Sequence, residues 1–407
     1  MNKRLIAAAF AGSLGGFVFG YDLGALASAI QSVRGVFHLS PAVFGLTVSF
    51  SLWGTVCGSL VAGRLADTVG ARTLVAACAS LYAVAAVGIT LPIPAEWVLV
   101  LTMRFLCGVA IGGFTVGCPL YLSEIAPVAL RGRFVSMFQV QVGAGVVIAF
   151  GAGSLFARVT AADVVWKWCL GVGTVPAVLL LGLSRYMPQA GTSMVSGGRE
   201  ASPAREKLFR RKNMRPILLA TSIAIFNQLT GVNVLLLYML DILSSAGIGL
   251  SLGHRYMVFI SCLSLATTLL GMAFVDKLGR KPLLVLGSAG MGMCLIGLGL
   301  AIPHHLGSLG YLSILVAYNA FFAFSQGTVV WVYLSELFPP GVRGAGQGYG
   351  STVHWIANAC LISVFPAMQH ASSVRFFYIF AFMMALQIGV VLFWYPETRG
   401  TALGTAV

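Results

Sequence analysis

The sequence predicts an all-α membrane protein of twelve transmembrane helices, arranged as two pseudo-symmetric six-helix bundles. Three observations support this prediction. Only 9% of the 407 residues are charged and 58% are hydrophobic, whereas soluble domains carry about 25% charged residues. Twelve apolar stretches are long enough to cross a bilayer. A twelve-residue motif in the first half of the chain recurs in the second half.

The twelve spans follow from length and from the polar residues that interrupt the apolar runs. A hydrocarbon core of about 30 Å requires roughly 20 mainly apolar residues in a helix. The connections are short, so consecutive helices are expected to run antiparallel. The predicted spans are 5–30, 41–63, 73–93, 97–122, 133–157, 165–186, 214–244, 254–275, 282–302, 309–334, 344–369 and 374–395.

One polar stretch, rich in Gly, Ser and basic residues, separates the sixth span from the seventh. We therefore predict an N-terminal six-helix bundle at 1–186, a cytoplasmic linker at 187–213 and a C-terminal six-helix bundle at 214–407. The eight cysteines fall inside predicted spans. They are interpreted as small apolar packing residues and not as disulfides or metal ligands.

The net charge of +14 is distributed over alternate loops. Nineteen Lys and Arg lie on the side that holds both termini, and five lie on the other side. Such a bias places the basic side in the cytoplasm. We expect a multi-pass protein of the plasma membrane, in a bacterium the inner membrane, with both termini cytoplasmic. The charge is then a topology signal, and membrane lipid rather than nucleic acid is the expected partner.

The internal repeat is close in sequence. The segment YLSEIAPVALRG begins at Tyr121, and YLSELFPPGVRG begins at Tyr333. A weaker repeat relates DTVGAR from Asp67 to DKLGRK from Asp276. Repeats in the same orientation imply halves related by an axis along the membrane normal, with a binding site between them near the midplane.

The repeated motifs place charged side chains at the cytoplasmic helix ends. A network between these ends that forms only when the halves are closed on the inside would bias one of two global states. Static capping of helix ends is the alternative interpretation. The predicted gating network comprises Asp67, Arg72, Glu124, Arg131, Asp276, Arg280, Glu336 and Arg343.

At these motifs the chain resembles the sugar porter family of the major facilitator superfamily, and within it the bacterial sugar/proton symporters. The resemblance runs from about Gly15 to Thr401. The segments that support it are GFVFGYD from Gly16, Gly63 to Arg72, RFLCG from Arg104, Tyr121 to Gly132, QLTGVN from Gln228, Asp276 to Lys281, Trp331 to Gly344 and PETRG from Pro396. It implies alternating access, in which two bundles rock around a central sugar site.

The resemblance also implies which side chains contact the sugar. A sugar presents hydroxyls and a partly apolar ring face, so amides and aromatic rings suit its site. A hydrogen bond between helices is the alternative for each amide. Gln228 and Asn233 could share a cavity if the helix breaks near Gly231. The predicted sugar-binding residues are Gln139, Asn227, Gln228, Asn233, Trp331, Trp355 and Asn358.

Asp22 is a carboxylate in the first span, with Arg104 in the fourth span as its expected partner. A charge at this depth is costly unless it is paired or protonated. Burial disfavours the charged carboxylate and a nearby guanidinium favours it, so helix movement can change its proton affinity. The resemblance agrees, because proton symporters of the family have Asp at this position. A permanent ion pair that joins the two spans is the alternative.

Several positions depart from the family pattern and leave the sugar undefined. His354 precedes Trp355 where an amide is frequent, and it is interpreted as a buried neutral histidine or a ligand contact. A proton-independent facilitative uniporter and a carrier of polyols, organic acids or other small metabolites remain alternatives. A nutrient sensor normally has a long cytoplasmic tail, and few residues follow Pro396. We expect no enzymatic activity, no metal and no cofactor other than the coupling proton, and a monomer.

Overall fold

The computed structural model describes residues 3–37, 41–91, 96–161, 163–188, 207–245, 248–301, 307–371 and 374–400. These residues form helices and short connections, and none of them is in a strand. The predicted cytoplasmic linker, 187–213, lies largely outside the described residues, as does the stretch after Gly400.

Sixteen α-helices occur within the described ranges. Ten helical stretches there are long and apolar enough to cross a membrane by length and composition. The helices are α1 (Lys3–Phe37), α2 (Pro41–Val69), α3 (Ala71–Ile89), α4 (Glu96–Ile125), α5 (Arg131–Val159), α6 (Val165–Gly171), α7 (Thr174–Ser184), α8 (Met214–Leu229), α9 (Val232–Leu237), α10 (Met239–Ser245), α11 (Leu250–Leu278), α12 (Arg280–Ala301), α13 (Ser308–Phe324), α14 (Gln326–Leu337), α15 (Arg343–Ala371) and α16 (Arg375–Trp394).

Three predicted spans are interrupted rather than continuous. The sixth is divided into α6 and α7, just before Pro176. The seventh is divided into α8, α9 and α10: Gly231, with a left-handed φ of 83°, separates α8 from α9, and Tyr238 separates α9 from α10. The tenth is divided into α13 and α14 at Ser325. The seventh span is thus broken near Gly231, which is the condition under which Gln228 and Asn233 could share a cavity.

The same helix pairs recur in the first and second halves of the chain. In the first half α1 packs on α5, α2 on α4, α3 on α4 and α3 on α7. In the second half the corresponding pairs are α8 with α15, α11 with α13, α12 with α13 and α12 with α16. The described helices therefore form two pseudo-symmetric bundles, one from each half of the chain.

Two interfaces join the halves, and the pseudo-symmetry relates them to each other. They are formed by α2 with α15 and by α5 with α11. In the first interface, Gly63 lies directly against Gly344 and Gly348, so a side chain at Gly63 or Gly348 would strike the backbone of the partner helix. The glycines thus allow the halves to touch at one end of the molecule, here called the charged end because it holds the predicted gating residues.

Candidate functional site

The break at Gly231 brings two predicted amides together. Gln228 lies in the last turn of α8, and Asn233 is the second residue of α9. The Asn233 Nδ2 donates to Gln228 Oε1 at 2.9 Å. In an unbroken helix a spacing of five residues places side chains on different faces. The left-handed glycine therefore creates the paired amide surface.

The larger of two neighbouring cavities lies between the halves beside this break. It is lined mainly by apolar side chains with a few polar groups, as small-molecule sites generally are. Four of the predicted sugar-binding residues line it: Gln139, Asn227, Asn233 and Trp331. The Trp331 Nε1 donates to Gln139 Oε1 across the halves at 3.2 Å. Side chains from both halves thus form one site.

Gln228 contributes to this cavity indirectly, through His354. Its Nε2 lies 2.8 Å from His354 Nε2, and the His354 ring packs against Trp331 with the ring centroids 5.1 Å apart. His354 is 4% exposed and lines the cavity. The amide N–H needs an acceptor, so this contact requires a neutral imidazole. Both interpretations of His354, a buried neutral histidine and a wall of the ligand cavity, are compatible with this position.

The remaining predicted sugar-binding residues line the smaller, neighbouring cavity. Trp355 and Asn358 line it together with Asp22 and Arg104. Phe19, Leu23 and Asn233 line both cavities. The side-chain oxygen of Asn358 and the side-chain nitrogen of Asn227 are buried without a protein partner. Each is a polar atom that a ligand or water can satisfy.

Asp22 and Arg104 form a buried ion pair. The Arg104 Nη1 lies 2.5 Å from Asp22 Oδ1, and both residues are less than 5% exposed. The Tyr82 hydroxyl also donates to Asp22 Oδ1, at 2.9 Å, and Arg104 Nη2 donates to Ser51 Oγ at 3.0 Å. Three helices, α1, α3 and α4, therefore meet at one carboxylate.

At the charged end, the second half contains a compact ionic cluster. The Arg280 guanidinium lies 2.7 Å from Glu336 and 3.1 Å from Asp276. Thr398 donates to Glu336 at 2.6 Å. Glu397 accepts hydrogen bonds from the backbone N–H groups of Arg280 and Lys281, both at 3.0 Å. The cluster caps the start of α12 and joins it to α14 and to the segment after α16.

Asp276 also reaches across to the first half. Its Oδ2 accepts the backbone N–H of Arg133 at 2.9 Å, which caps the N-terminus of α5. A Cβ at Gly132 would collide with the other oxygen of Asp276. In the related interface, a Cβ at Gly344 would collide with Asp67. The final glycine of each twelve-residue motif thus packs against an aspartate side chain of the opposite half.

Other residues of the predicted gating network contact backbone carbonyls or lie within electrostatic range of an opposite charge. Arg72 donates to the backbone carbonyls of Ser184 and Arg185, at 3.0 and 3.1 Å, and so ties α3 to the end of α7. Glu124 lies within electrostatic range of Arg343, and Arg131 within that of Glu336. The eight residues therefore lie together at the charged end of the molecule.

Several contacts were not anticipated from the sequence. Tyr82 binds the Asp22 carboxylate, Glu397 caps α12, and Thr115 receives the Trp355 indole. Tyrosine and threonine are common in apolar helices, where they give no charge signal. Glu397 belongs to the PETRG motif that supports the family resemblance. This motif was the only sign in the sequence that Glu397 has a role.

Comparison with known proteins identifies the family. The model of the family described as "Sugar (and other) transporter" matches residues 8–213 and again residues 191–405. The chain belongs to this sugar transporter family. The family is one of transporters and not of enzymes.

Relatives and a solved structure agree with this assignment. The chain is 31% identical to a putative metabolite transport protein of Bacillus subtilis, over 97% of this chain and 92% of the relative. It is 30% identical to a glucose transporter of Staphylococcus epidermidis, over 99% and 96%. A proton:xylose symporter of the major facilitator superfamily, bound to 6-bromo-6-deoxy-D-glucose, superimposes with a TM-score of 0.88 at 24% identity, over 98% of both chains. The fold of this sugar transporter family member is the major facilitator fold.

Proposed function

We propose that the protein is a secondary active transporter that couples uptake of a monosaccharide to protons by alternating access. The observation that carries this proposal is the buried Asp22–Arg104 pair in a cavity that shares three lining residues with the amide- and aromatic-lined cavity. A titratable group inside the membrane marks a proton or ion pathway by default. Here that group adjoins a compartment suited to a sugar.

The chemistry of the larger cavity supports a neutral polyhydroxylated substrate. Amide groups at Gln139, Asn227 and Asn233 both donate and accept hydrogen bonds, which matches sugar hydroxyls. The Trp331 face suits an apolar ring face. Among the cavity-lining residues that the structure describes there is no Asp, Glu, Lys or Arg, so a permanently charged substrate would lack a counter-charge from them. A monosaccharide satisfies both conditions, and so does a cyclic polyol.

Coupling follows from the pair itself. While Asp22 is ionised, Arg104 and Tyr82 hold the carboxylate between α1, α3 and α4. Protonation removes the charge that attracts Arg104 and frees these helices to move relative to each other. Substrate in the neighbouring cavity favours one arrangement of the halves. Protonation of Asp22 and substrate binding therefore bias the same equilibrium between arrangements of the halves.

Transport by Asp22→Asn in proteoliposomes tests the coupling. We expect the variant to lose uphill accumulation driven by a pH gradient and to retain sugar counterflow, because the amide cannot take up or release the proton. Asp163→Asn, an exposed residue outside both cavities, is the matched control and should behave as wild type. Unchanged pH-driven accumulation in Asp22→Asn would contradict the proposal. Wild-type uptake that is indifferent to the gradient would instead support the facilitative uniporter.

Substrate competition tests the cargo. Unlabelled D-xylose, D-glucose, myo-inositol and an aldonic acid are each added in excess during uptake of a labelled monosaccharide. We expect the two monosaccharides to compete and the acid not to compete. Competition by myo-inositol alone would favour the polyol carrier, and competition by the acid would contradict the neutral-substrate assignment.

We further propose that both termini lie in the cytoplasm of a bacterial inner membrane, as the charge distribution predicts. Reporter fusions that are active only in the cytoplasm or only in the periplasm test this when joined to the C-terminus. Periplasmic activity would reverse the orientation.

A further inference from the structure

Thr115 of α4 is fully buried and meets three side chains of α15. The Trp355 indole Nε1 donates to Thr115 Oγ1 at 3.2 Å, and Ser351 Oγ lies 2.8 Å from the same oxygen. Gln347 Nε2 lies 3.4 Å from the Thr115 carbonyl oxygen. The Thr115 hydroxyl also lies 2.9 Å from the Gly112 carbonyl oxygen. A single threonine of the first half thus binds one helix of the second half.

The donors and acceptors of this cluster balance. A hydroxyl has one proton to donate and two lone pairs that accept. When Thr115 donates to the Gly112 carbonyl, its lone pairs accept from Trp355 and Ser351. The Trp355 indole N–H can only donate, and Thr115 is the partner it has in this structure. A second hydroxyl pair, Ser59 with Thr352 at 3.1 Å, joins α2 to α15 one residue further along.

The cluster connects two regions that have been described separately. Towards the charged end, α15 meets α2 where Gly348 lies against Gly63. Away from it, the Trp355 ring packs edge-on against Phe19, with the ring centroids 5.4 Å apart, and lines the cavity of Asp22 and Asn358. The orientation of the indole and the closure of α15 onto the first half therefore depend on the same contacts.

We propose that Thr115 is a positioning residue that fixes the Trp355 indole only while the halves are closed at the charged end. This inference rests on the proposed alternating access. When α15 separates from α4, the indole N–H loses its partner inside a largely apolar region, where an unpaired donor is costly. Substrate or water must then satisfy it. The Thr115 side chain of the first half thus links contact between Trp355 and the sugar to closure of the halves at the charged end.

Distance measurements between spin labels at Thr68 and Lys277 test this inference. Both are exposed residues at the charged end, in opposite halves, and the labels are attached to cysteines in a background without the native cysteines. In Thr115→Val, which keeps the shape of the side chain but loses the hydroxyl, we expect the ratio of open to closed populations to rise on the order of fivefold, as the loss of one net hydrogen bond predicts. Thr115→Ser should restore the wild-type ratio.

The control is Thr102→Val, on the same helix. Thr102 is exposed and its hydroxyl donates only to the Val98 carbonyl oxygen of its own helix, at 2.9 Å, so its removal should leave the distances unchanged. Combining Thr115→Val with Trp355→Phe should shift the ratio no further than Thr115→Val alone, because Thr115→Val has already removed the bond that Trp355→Phe removes. Equal distances in Thr115→Val and Thr102→Val, or additive shifts in the double variant, would overturn the inference. The measurement needs neither sugar nor a proton gradient, so it is separable from failure of the transport proposal.

Discussion

Asp22 and Arg104 are 82 residues apart in the chain and 2.5 Å apart in the structure. A carboxylate and a guanidinium in hydrocarbon each lose hydration, and only close pairing with additional hydrogen bonds offsets this loss. Tyr82 and Ser51 supply those additional bonds. The pair is therefore a structural element of the first half as well as the proposed coupling site.

The stability of this pair gives a residue-scale prediction. Arg104→Gln leaves Asp22 buried without its guanidinium, and we expect a loss of about 3 kcal/mol in the free energy of unfolding. Asp22→Asn combined with Arg104→Gln should recover much of that loss, because no uncompensated charge remains. Thermal unfolding of the two single variants, the double variant and wild type in the same detergent measures both effects. Equal midpoints for Arg104→Gln and the double variant would contradict this account.

At the residue scale, the sequence was most informative where a residue type is rare in hydrocarbon. A charge such as Asp22, or an amide such as Gln228, is conspicuous in an apolar span. Tyr82 and Thr115 are not conspicuous, because an apolar helix tolerates a hydroxyl that bonds to its own backbone. Their partners lie 60 and 240 residues away. Only the packing of the helices shows these contacts.

At the element scale, the most consequential feature is the break between α8 and α9. Gly231 combines a φ of 83° with close contact to the Phe380 ring, which a Cβ would strike. Tyr318 of α13 donates to the Thr230 carbonyl oxygen at 2.7 Å and so satisfies a backbone group near the break. The paired amides of Gln228 and Asn233 depend on this local geometry.

Gly231→Ala tests the role of the break. An alanine in the left-handed region costs roughly 1–2 kcal/mol, and its methyl group must displace the Phe380 ring. We expect lower thermal stability and weaker sugar binding, measured by calorimetry on the purified protein. Gly389→Ala is the control, because Gly389 lies within α16 and a Cβ there meets no atom within 4 Å. Wild-type sugar affinity in Gly231→Ala would show that the break does not position the amides.

At the scale of the whole molecule, the two halves are held together through helix ends. Asp276 of α11 accepts the Arg133 N–H at the start of α5. The first N–H groups of a helix lack internal partners and carry partial positive charge, so a carboxylate is a favourable cap. The Asp67 contact with the start of α15 is its pseudo-symmetric counterpart. The pattern gives the repeated motifs a physical role at the interface between halves.

Asp276→Asn should loosen this interface. The amide keeps the shape of the side chain but removes the negative charge from the cap and from the ion pair with Arg280. We expect faster hydrogen exchange at the start of α5, in peptides that contain Arg133, and slower transport. Asp163→Asn, the same substitution at an exposed position, should change neither. Exchange at α5 equal to wild type would indicate that the cap does not hold the halves together.

The sequence by itself determined that this is a membrane protein with many spans. The length of each apolar stretch and the positions of the charged residues can be read directly along the chain. It also determined the internal repeat and the residue types suited to a sugar and a proton. The tertiary structure decided which of these residues meet. Asp22 joins Tyr82, Trp355 joins Thr115 and Asp276 caps α5 because helices distant in sequence pack together. Such contacts depend on how each helix is rotated about its axis and on the angle at which two helices cross. The spacing of apolar residues cannot define either quantity when every face of a helix is apolar.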